Sequence, residues 1–391
     1  MDKFGFDEEK VKTSVGELGT VITGNTPSKS KDEYWDSEDI CFVKPDGIAD
    51  AGITYISKSS EYMSEAAREK ARVVTKDAIF VTCIGSIGKI GIAEDGEFAF
   101  NQQINTIVPN DRVIPKYLAY NLLYSKTRLS AIANSAVVPI INKSQFSEFE
   151  IKIVEDKAKQ GKIVDGLDFV ARIIDKKKQQ LEELDTLIKA RFVEMFGDPV
   201  SNSFDLPEKT LPELGEFGRG VSKHRPRNDA RLLGGPYPLI QTGEVASAGL
   251  YIDSYSNTYS ELGLQQSKMW SKGTLCITIA ANIAKTAILN FDACFPDSVV
   301  GFKANENNNN VFIHYWFTFF QAILESQAPE SAQKNINLKI LSELKVIAPE
   351  KSRQEEFAAF VTQVDKLKVA VQESLDELQT LFDSLMQQYF G

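Results

Sequence analysis

The densest chemistry in the chain is cationic. Arg219, Lys223, Arg225, Arg227 and Arg231 stand within one short window, against the single acid Asp229, with His224 and Asn228 among them. Ammonium and guanidinium groups bind phosphate oxygens, and Arg and Asn also pair with base edges. Like charges crowded into one stretch repel unless an anion lies between them, so the window predicts contact with a polyanion. Glycines around it, with Pro236 and Pro238 just beyond, mark it as loop rather than helix. In the first half a polar, turn-rich loop supplies Thr26, Ser28, Lys29 and Lys31, followed by Tyr34 and Trp35. Lys89, Gln102 and Lys285 complete the candidate nucleic-acid contacts. Taken singly, each is also readable as a solvated loop residue, and Tyr34 and Trp35 read as packing beneath their loop.

No pattern for bond-making chemistry accompanies these residues. HExxH, GxSxG and DPPY- or NPPF-like methyltransferase motifs are absent, and the only histidines are His224 and His314. Gly85-Ser86-Ile87-Gly88-Lys89 lacks the first glycine of a phosphate-binding GxxxxGK[ST] loop. Phe217-Gly218-Arg219-Gly220 reads as a basic turn. The pattern is that of a binding protein, with no catalytic residue and no metal site expected.

Two long stretches are built to position such loops. From Ile163 to Met195, apolar residues recur at alternating steps of four and three, including Leu167, Val170, Ile174, Leu181, Leu184 and Ile188. The same ladder returns 194 residues later with Val361, Val364, Val371, Leu375, Leu378 and Phe382. This is the heptad seam of a coiled-coil helix. The polar breaks fall at Lys177 and Arg191 in one copy and at Lys368 in the other. Both copies end on Phe-Gly, Phe196-Gly197 and Phe390-Gly391. Each seam needs a partner, and the chain carries two.

The duplication extends beyond the helices. Glu17-Leu18-Gly19 returns as Glu213-Leu214-Gly215, Ile141-Asn142 as Ile336-Asn337, Ser147-Glu148 as Ser342-Glu343, and Gln160 as Gln354. Thr82, Ile87, Lys89 and Ile92 match Thr278, Ile283, Lys285 and Ile288. The chain is thus two copies of one plan, a variable globular part followed by a long helix. A pseudo-twofold axis between the copies makes the helices antiparallel. The expected class is α+β, with strands over Val15–Ile22, Ile40–Val43, Val73–Ile84, Pro238–Gly249, Leu275–Ala280 and Ala287–Phe291. Helices are expected over Pro115–Ile132 and Val311–Gln327, with strand and loop over Ile140–Val154.

At 391 residues and 43% hydrophobic, the chain can fill two cores. Its net charge of 44 − 54 = −10 argues against a general basic coat for nucleic acid and leaves room for a local patch. Cys41, Cys83, Cys276 and Cys294 lack metal-ligand spacing and read as free thiols of a reducing compartment. The charged N-terminus lacks a signal-peptide core, and Val311–Leu324 is too short for a bilayer. The expected location is cytoplasmic.

With these residues in hand, the chain resembles the specificity subunits of type I restriction-modification systems. Gly24-Asn25-Thr26-Pro27-Ser28, Tyr34-Trp35, Gly85-Ser86-Ile87-Gly88-Lys89 and Asn101-Gln102-Gln103 are similar to recurring segments of that family. The family's proline-plus-Glu-Gln opening of the long helix is degenerate here: Lys159-Gln160 and Arg353-Gln354 keep the Gln, and only the second copy keeps a proline, Pro349. The resemblance implies target recognition domains at 1–150 and 199–346, and helical regions at 151–198 and 347–391, the two helices forming an intramolecular antiparallel coiled coil. It implies a noncatalytic subunit that reads a bipartite site on double-stranded DNA. Partners would be two adenine-N6 methyltransferase subunits and, through them, ATP-dependent translocase-nuclease subunits. S-adenosylmethionine, ATP and Mg²⁺ would belong to those partners and not to this chain. The alternative is a stand-alone coiled-coil scaffold that binds proteins through its loops, and salt-sensitive, sequence-selective DNA binding separates the two.

The seams also predict a ruler. From Ile163 to Met195 is 195 − 163 = 32 steps, or about 48 Å of helix, which matches roughly 14 base pairs. A matched heptad inserted into both helices keeps the register and adds about 10 Å, close to three base pairs. Methylation of substrates with varied gaps should then prefer a longer gap at reduced strength, because the half-sites also rotate about the duplex. Full activity at the original gap would show that the helices do not set it.

Overall fold

The computed structural model describes residues 10–133, 138–224, 226–227, 229–280, 283–327 and 336–391. They form two compact units, one of Met1–Lys178 with Glu373–Gly391 and the other of Gln179–Gln372. The architecture is α+β in both.

The two seams become two continuous helices of 40 residues, Lys157–Phe196 and Lys351–Phe390. In the first unit the start of the first helix and the end of the second share one core, through Ile163, Val164, Leu167, Phe382, Met386 and Phe390. In the second unit the end of the first helix meets the start of the second, with Phe192 edge-on to Phe357 at 5.3 Å between ring centroids. The helices therefore pair antiparallel. Leu167, Val170, Ile174, Ile188, Val361, Val364 and Val371 are buried, whereas Leu181, Leu184, Leu375, Leu378 and Phe382 are half-buried. A two-helix seam covers its knobs on one side only. The seam residues with no exposure at all, Leu167, Ile188, Phe357 and Val361, also belong to the globular cores. Lys368, the polar break of the second seam, pairs with Asp185 of the first helix at 2.7 Å.

Each unit carries a five-stranded sheet of the same order. In the first unit it runs Gly19–Thr23, Ile104–Pro109, Ile79–Thr82, Ile90–Ala93, Ile53–Ile56. In the second it runs Gly215–Arg219, Val299–Ala304, Leu275–Thr278, Thr286–Leu289, Tyr251–Ile252. All neighbours are antiparallel except the last pair of each, which is parallel. Ile79–Thr82 and Leu275–Thr278 are buried at every position, which is why their apolar runs do not alternate. A second, four-stranded sheet lies in each unit, through Ile40–Val43 and Phe98–Phe100 in one and Leu233–Leu239 and Ala293–Cys294 in the other.

Several expected elements differ in detail. Val15–Glu17 is a 3-10 turn between the strands Val11–Ser14 and Gly19–Thr23. Pro115–Ile132 divides into helices Pro115–Tyr124 and Lys126–Ala131. Within Pro238–Gly249 the strand ends at Leu239 and a helix, Thr242–Ser247, follows. Its start is fixed by Glu244, whose carboxylate accepts from the Gln241 N–H at 3.1 Å, a reciprocal cap that the apolar pattern hides. Lys143–Ser147 is likewise a helix, capped by Asn142. Among the described residues, no helix is long and apolar enough to cross a membrane.

Among the residues repeated between the two halves are helix caps and buried joints. Asn142 and Asn337 cap equivalent helices by accepting from the N–H groups of Gln145 and Ile340 at 2.9 Å. Their neighbours Ile141 and Ile336 are buried and donate backbone hydrogen bonds to the carbonyls of Cys83 and Ile279. Gln160 and Gln354 have no exposure. Gln160 Oε1 accepts from the Ile114 N–H at 2.8 Å, and its Nε2 donates to the carbonyls of Val154 and Arg112 at 2.7 and 3.1 Å. Gln354 repeats this with the Asn309 N–H at 2.9 Å, the Pro349 carbonyl at 2.8 Å and Asn308 Oδ1 at 3.3 Å. One buried amide thus ties the first turn of each long helix to its globular part. Replacing Gln160 or Gln354 by Leu strands an N–H and its acceptors without water, and should cost about 2–4 kcal/mol in urea unfolding. A change within about 0.5 kcal/mol, typical of a surface substitution, would refute this role.

Candidate nucleic-acid interface

The candidate loops of the two halves leave their sheets at one equivalent glycine. Gly24 N–H donates to the Ile104 carbonyl and Asn25 N–H to that of Phe100. Gly220 N–H donates to the Val299 carbonyl and Val221 N–H to that of Phe295. A Cβ at Gly24 would lie 2.1 Å from the Asn101 carbonyl oxygen, and one at Gly220 would lie 2.2 Å from that of Phe295. Only glycine permits the strand to pass this close as it crosses toward the second sheet. Thr26–Lys31 and the basic window are therefore the same place in the fold, although they share no residue pattern.

Opposite each loop is a turn between equivalent strands, Asn101-Gln102-Gln103 in the first unit and Pro296-Asp297-Ser298 in the second. Thr26 Oγ1 donates to Gln102 Oε1 at 2.9 Å. Arg227 NH2 donates to Asp297 Oδ1 at 2.6 Å. Asp297 was not singled out by composition, because it lies 70 residues from Arg227. Its offset of 297 − 102 = 195 from Gln102 was the available signal.

The basic window carries more counter-charge than its own residues suggest. Asp229 accepts from the Arg231 side chain at 2.7 Å and its backbone N–H at 3.0 Å, and lies 3.1 Å from His224 Nε2. These partners, Arg231 first, hold the Asp229 carboxyl well below the usual carboxylate range. Arg219, at the end of its strand, and Lys223 are exposed and have no side-chain partner among the described residues. Lys223 N–H donates to the Gln266 carbonyl and His224 N–H to Gln266 Oε1, so one residue seats the loop twice. Arg225 and Asn228 lie outside the described residues.

In the first unit, Lys29 lies 3.5 Å from the Trp35 ring centroid and pairs with Glu61, which Lys44 shares. Trp35 Nε1 donates to the Ser28 carbonyl at 3.1 Å, so the ring does pack beneath its loop. Ser28 bonds to Ser30, and Lys31 lies 3.2 Å from the Tyr34 hydroxyl. Lys89 is set apart from this group. Its side chain is 13% exposed and its ammonium lies 2.9 Å from Asp50. The matched pairs Thr82/Lys89 and Thr278/Lys285 act through the backbone: each threonine Oγ1 accepts the lysine N–H, at 3.0 and 3.1 Å, closing the hairpin turn. The structure thus brings Thr26, Ser28, Lys29, Lys31 and Gln102 together in one unit, and Arg219, Lys223, His224, Arg227 and Arg231 in the other.

His314 is buried 2.9 Å from Thr286 Oγ1, and burial lowers its pKa to about 4, which keeps it neutral at pH 7. Among the described residues, no group of three or more His, Cys, Asp or Glu side chains is placed to hold a metal ion.

Comparison with known proteins identifies the family and the fold. The profile of the family described as type I restriction modification DNA specificity domain matches residues 7–186 and 207–379. The MjaIX specificity subunit of Methanocaldococcus jannaschii is 28% identical over 299 residues, covering 69% of this chain and 68% of that protein. The HindI specificity subunit of Haemophilus influenzae is 31% identical over 142 residues, which is 35% of this chain and 30% of that one. The crystal structure of a type I S subunit from M. genitalium aligns over 100% of this chain and 98% of its own, with a TM-score of 0.56 at 18% identity. A structure described as the basis of complex assembly and conformational transition of the type I R-M system aligns over 97% of both chains, with a TM-score of 0.61 at 16% identity. Both likenesses are of fold.

Proposed function

Because this chain belongs to the type I restriction modification DNA specificity family, we propose that it is the DNA-binding subunit that chooses the target of a type I restriction-modification complex. Each globular part reads one half of a bipartite site on double-stranded DNA. The observation that carries this reading is that one loop-and-turn arrangement is built twice, on the same glycine and the same backbone bonds, with different side chains in each copy. A scaffold kept for its helices has no need of two differently furnished copies of one surface.

The chain does no chemistry of its own in this reading. Two adenine-N6 methyltransferase subunits supply methyl transfer with S-adenosylmethionine. Restriction subunits supply translocation and cleavage with ATP and Mg²⁺. The paired helices present the recruiting surface. The complex works on DNA in the cytoplasm.

The exposed cations contribute through phosphate contact. Each one lost from the interface should lower the slope of log affinity against log salt by about one unit, and weaken binding across sequences alike. Arg219→Ala and Lys223→Ala, in the chain assembled with its methyltransferase partner, are the direct tests. Unchanged affinity and slope in both would leave the window a solvated loop and favour the scaffold reading. Separately, the purified chain alone should show no methyl transfer and no cleavage of target DNA. Activity without partners would overturn the division of labour.

A further inference from the structure

Resting on that reading, we propose that the turn residue facing each loop, Gln102 in the first unit and Asp297 in the second, is a specificity-determining position. Gln102 forms a reading pair with Thr26. Asp297 is a positioning residue that orients Arg227 toward a guanine edge.

The place is the same in both units by backbone bonding rather than by likeness of side chains. The loop is anchored on the strands flanking the turn through Gly24 and Asn25 in one copy and through Gly220 and Val221 in the other. The turn residue then meets a loop side chain in each, Gln102 with Thr26 and Asp297 with Arg227. Geometry has been kept while chemistry has changed, from a neutral hydroxyl–amide pair to a guanidinium–carboxylate pair. A buried joint shows the opposite behaviour, as Gln160 and Gln354 do by keeping residue and role together. Retained position with altered chemistry is the behaviour expected where two copies read different bases.

The donor inventory fits. Arg227 spends NH2 on Asp297, and its side chain is 48% exposed, with no other side-chain partner for its fork among the described residues. A guanidinium fixed by a carboxylate offers two parallel donors at a set angle, the match for O6 and N7 of guanine. In the first unit Gln102 accepts from Thr26 through Oε1, which leaves its amide NH₂ directed by that bond. The Oε1 keeps a second lone pair, so a glutamine held in this way can still pair with N6 and N7 of adenine, in an orientation set by Thr26. The two units would therefore discriminate differently at the equivalent place.

The test is binding of the assembled complex to an oligonucleotide pool randomised across both half-sites. Asp297→Asn and Arg227→Ala should relax selectivity for guanine at one shared position of one half-site, by about tenfold, with the other half unchanged. Gln102→Ala should relax one position in the other half only. Thermal unfolding should move little, since Gln102 and Arg227 are exposed and Asp297 is half-buried. If Asp297→Asn instead tightens target and non-target DNA alike, the carboxylate only competes with phosphate for Arg227, and the proposal fails. It fails equally if both half-site preferences are unaltered in Asp297→Asn while Arg219→Ala and Lys223→Ala still lower the salt slope. Loss of effect in those two cation variants as well would mean that the loop is not at DNA, which overturns the functional reading together with this inference.

Discussion

The structure depends on a buried amide at the foot of each long helix. An amide with no exposure must find partners inside the protein, because water cannot reach it. Gln160 and Gln354 find theirs in the loop before a helix of the globular part and in the residue just ahead of their own helix. A helix of 40 residues could otherwise pivot on its first turn, since seam contacts slide more readily than directional bonds. The glutamine converts that freedom into a fixed joint. On the proposed reading, a loop that meets DNA at a defined register has to sit on such a joint, because a small rotation at the helix base becomes a large displacement at the loop.

Duplication separates what the fold requires from what varies. Residues common to both halves are caps, close-approach glycines, buried isoleucines and the joint glutamine. Their environments leave few alternatives: a Cβ at Gly19 would lie 2.3 Å from the Val108 carbonyl oxygen, and one at Gly215 would lie 2.1 Å from that of Lys303. The loops launched at Gly24 and Gly220 are under no such constraint beyond their first residues. They have diverged to a serine- and lysine-bearing turn in one copy and an arginine-rich one in the other.

This division also explains what the sequence made legible. The heptad seams were plain because their period belongs to the helix itself. The duplicated markers were visible as identities, but their roles were not, since a cap or a joint is defined by a partner distant in the chain. Lys89 and Lys285 illustrate the difference. They were matched as cations, whereas their shared task is a backbone N–H given to a threonine hydroxyl. The helix Thr242–Ser247 was hidden within a strand-like run because a reciprocal side-chain cap, not periodicity, starts it. Asp297 is invisible to a charge count along the window, because its carboxylate comes in from the opposite turn.

The paired cations bear on how an acidic protein binds an acidic polymer. With a net charge of −10, long-range attraction to DNA is weak or unfavourable. Binding then has to come from local contacts, and each cation held by a carboxylate must trade that partner for DNA or keep it while using its remaining donors. Exposed ion pairs are worth about 0.2–1 kcal/mol, so the exchange costs little. What the pairs supply instead is orientation, since a held guanidinium has fewer conformations to lose on binding. On the proposed reading, such an interface binds loosely where the bases are wrong and gains most of its affinity where held side chains meet matching edges. That balance suits a subunit whose task is selection.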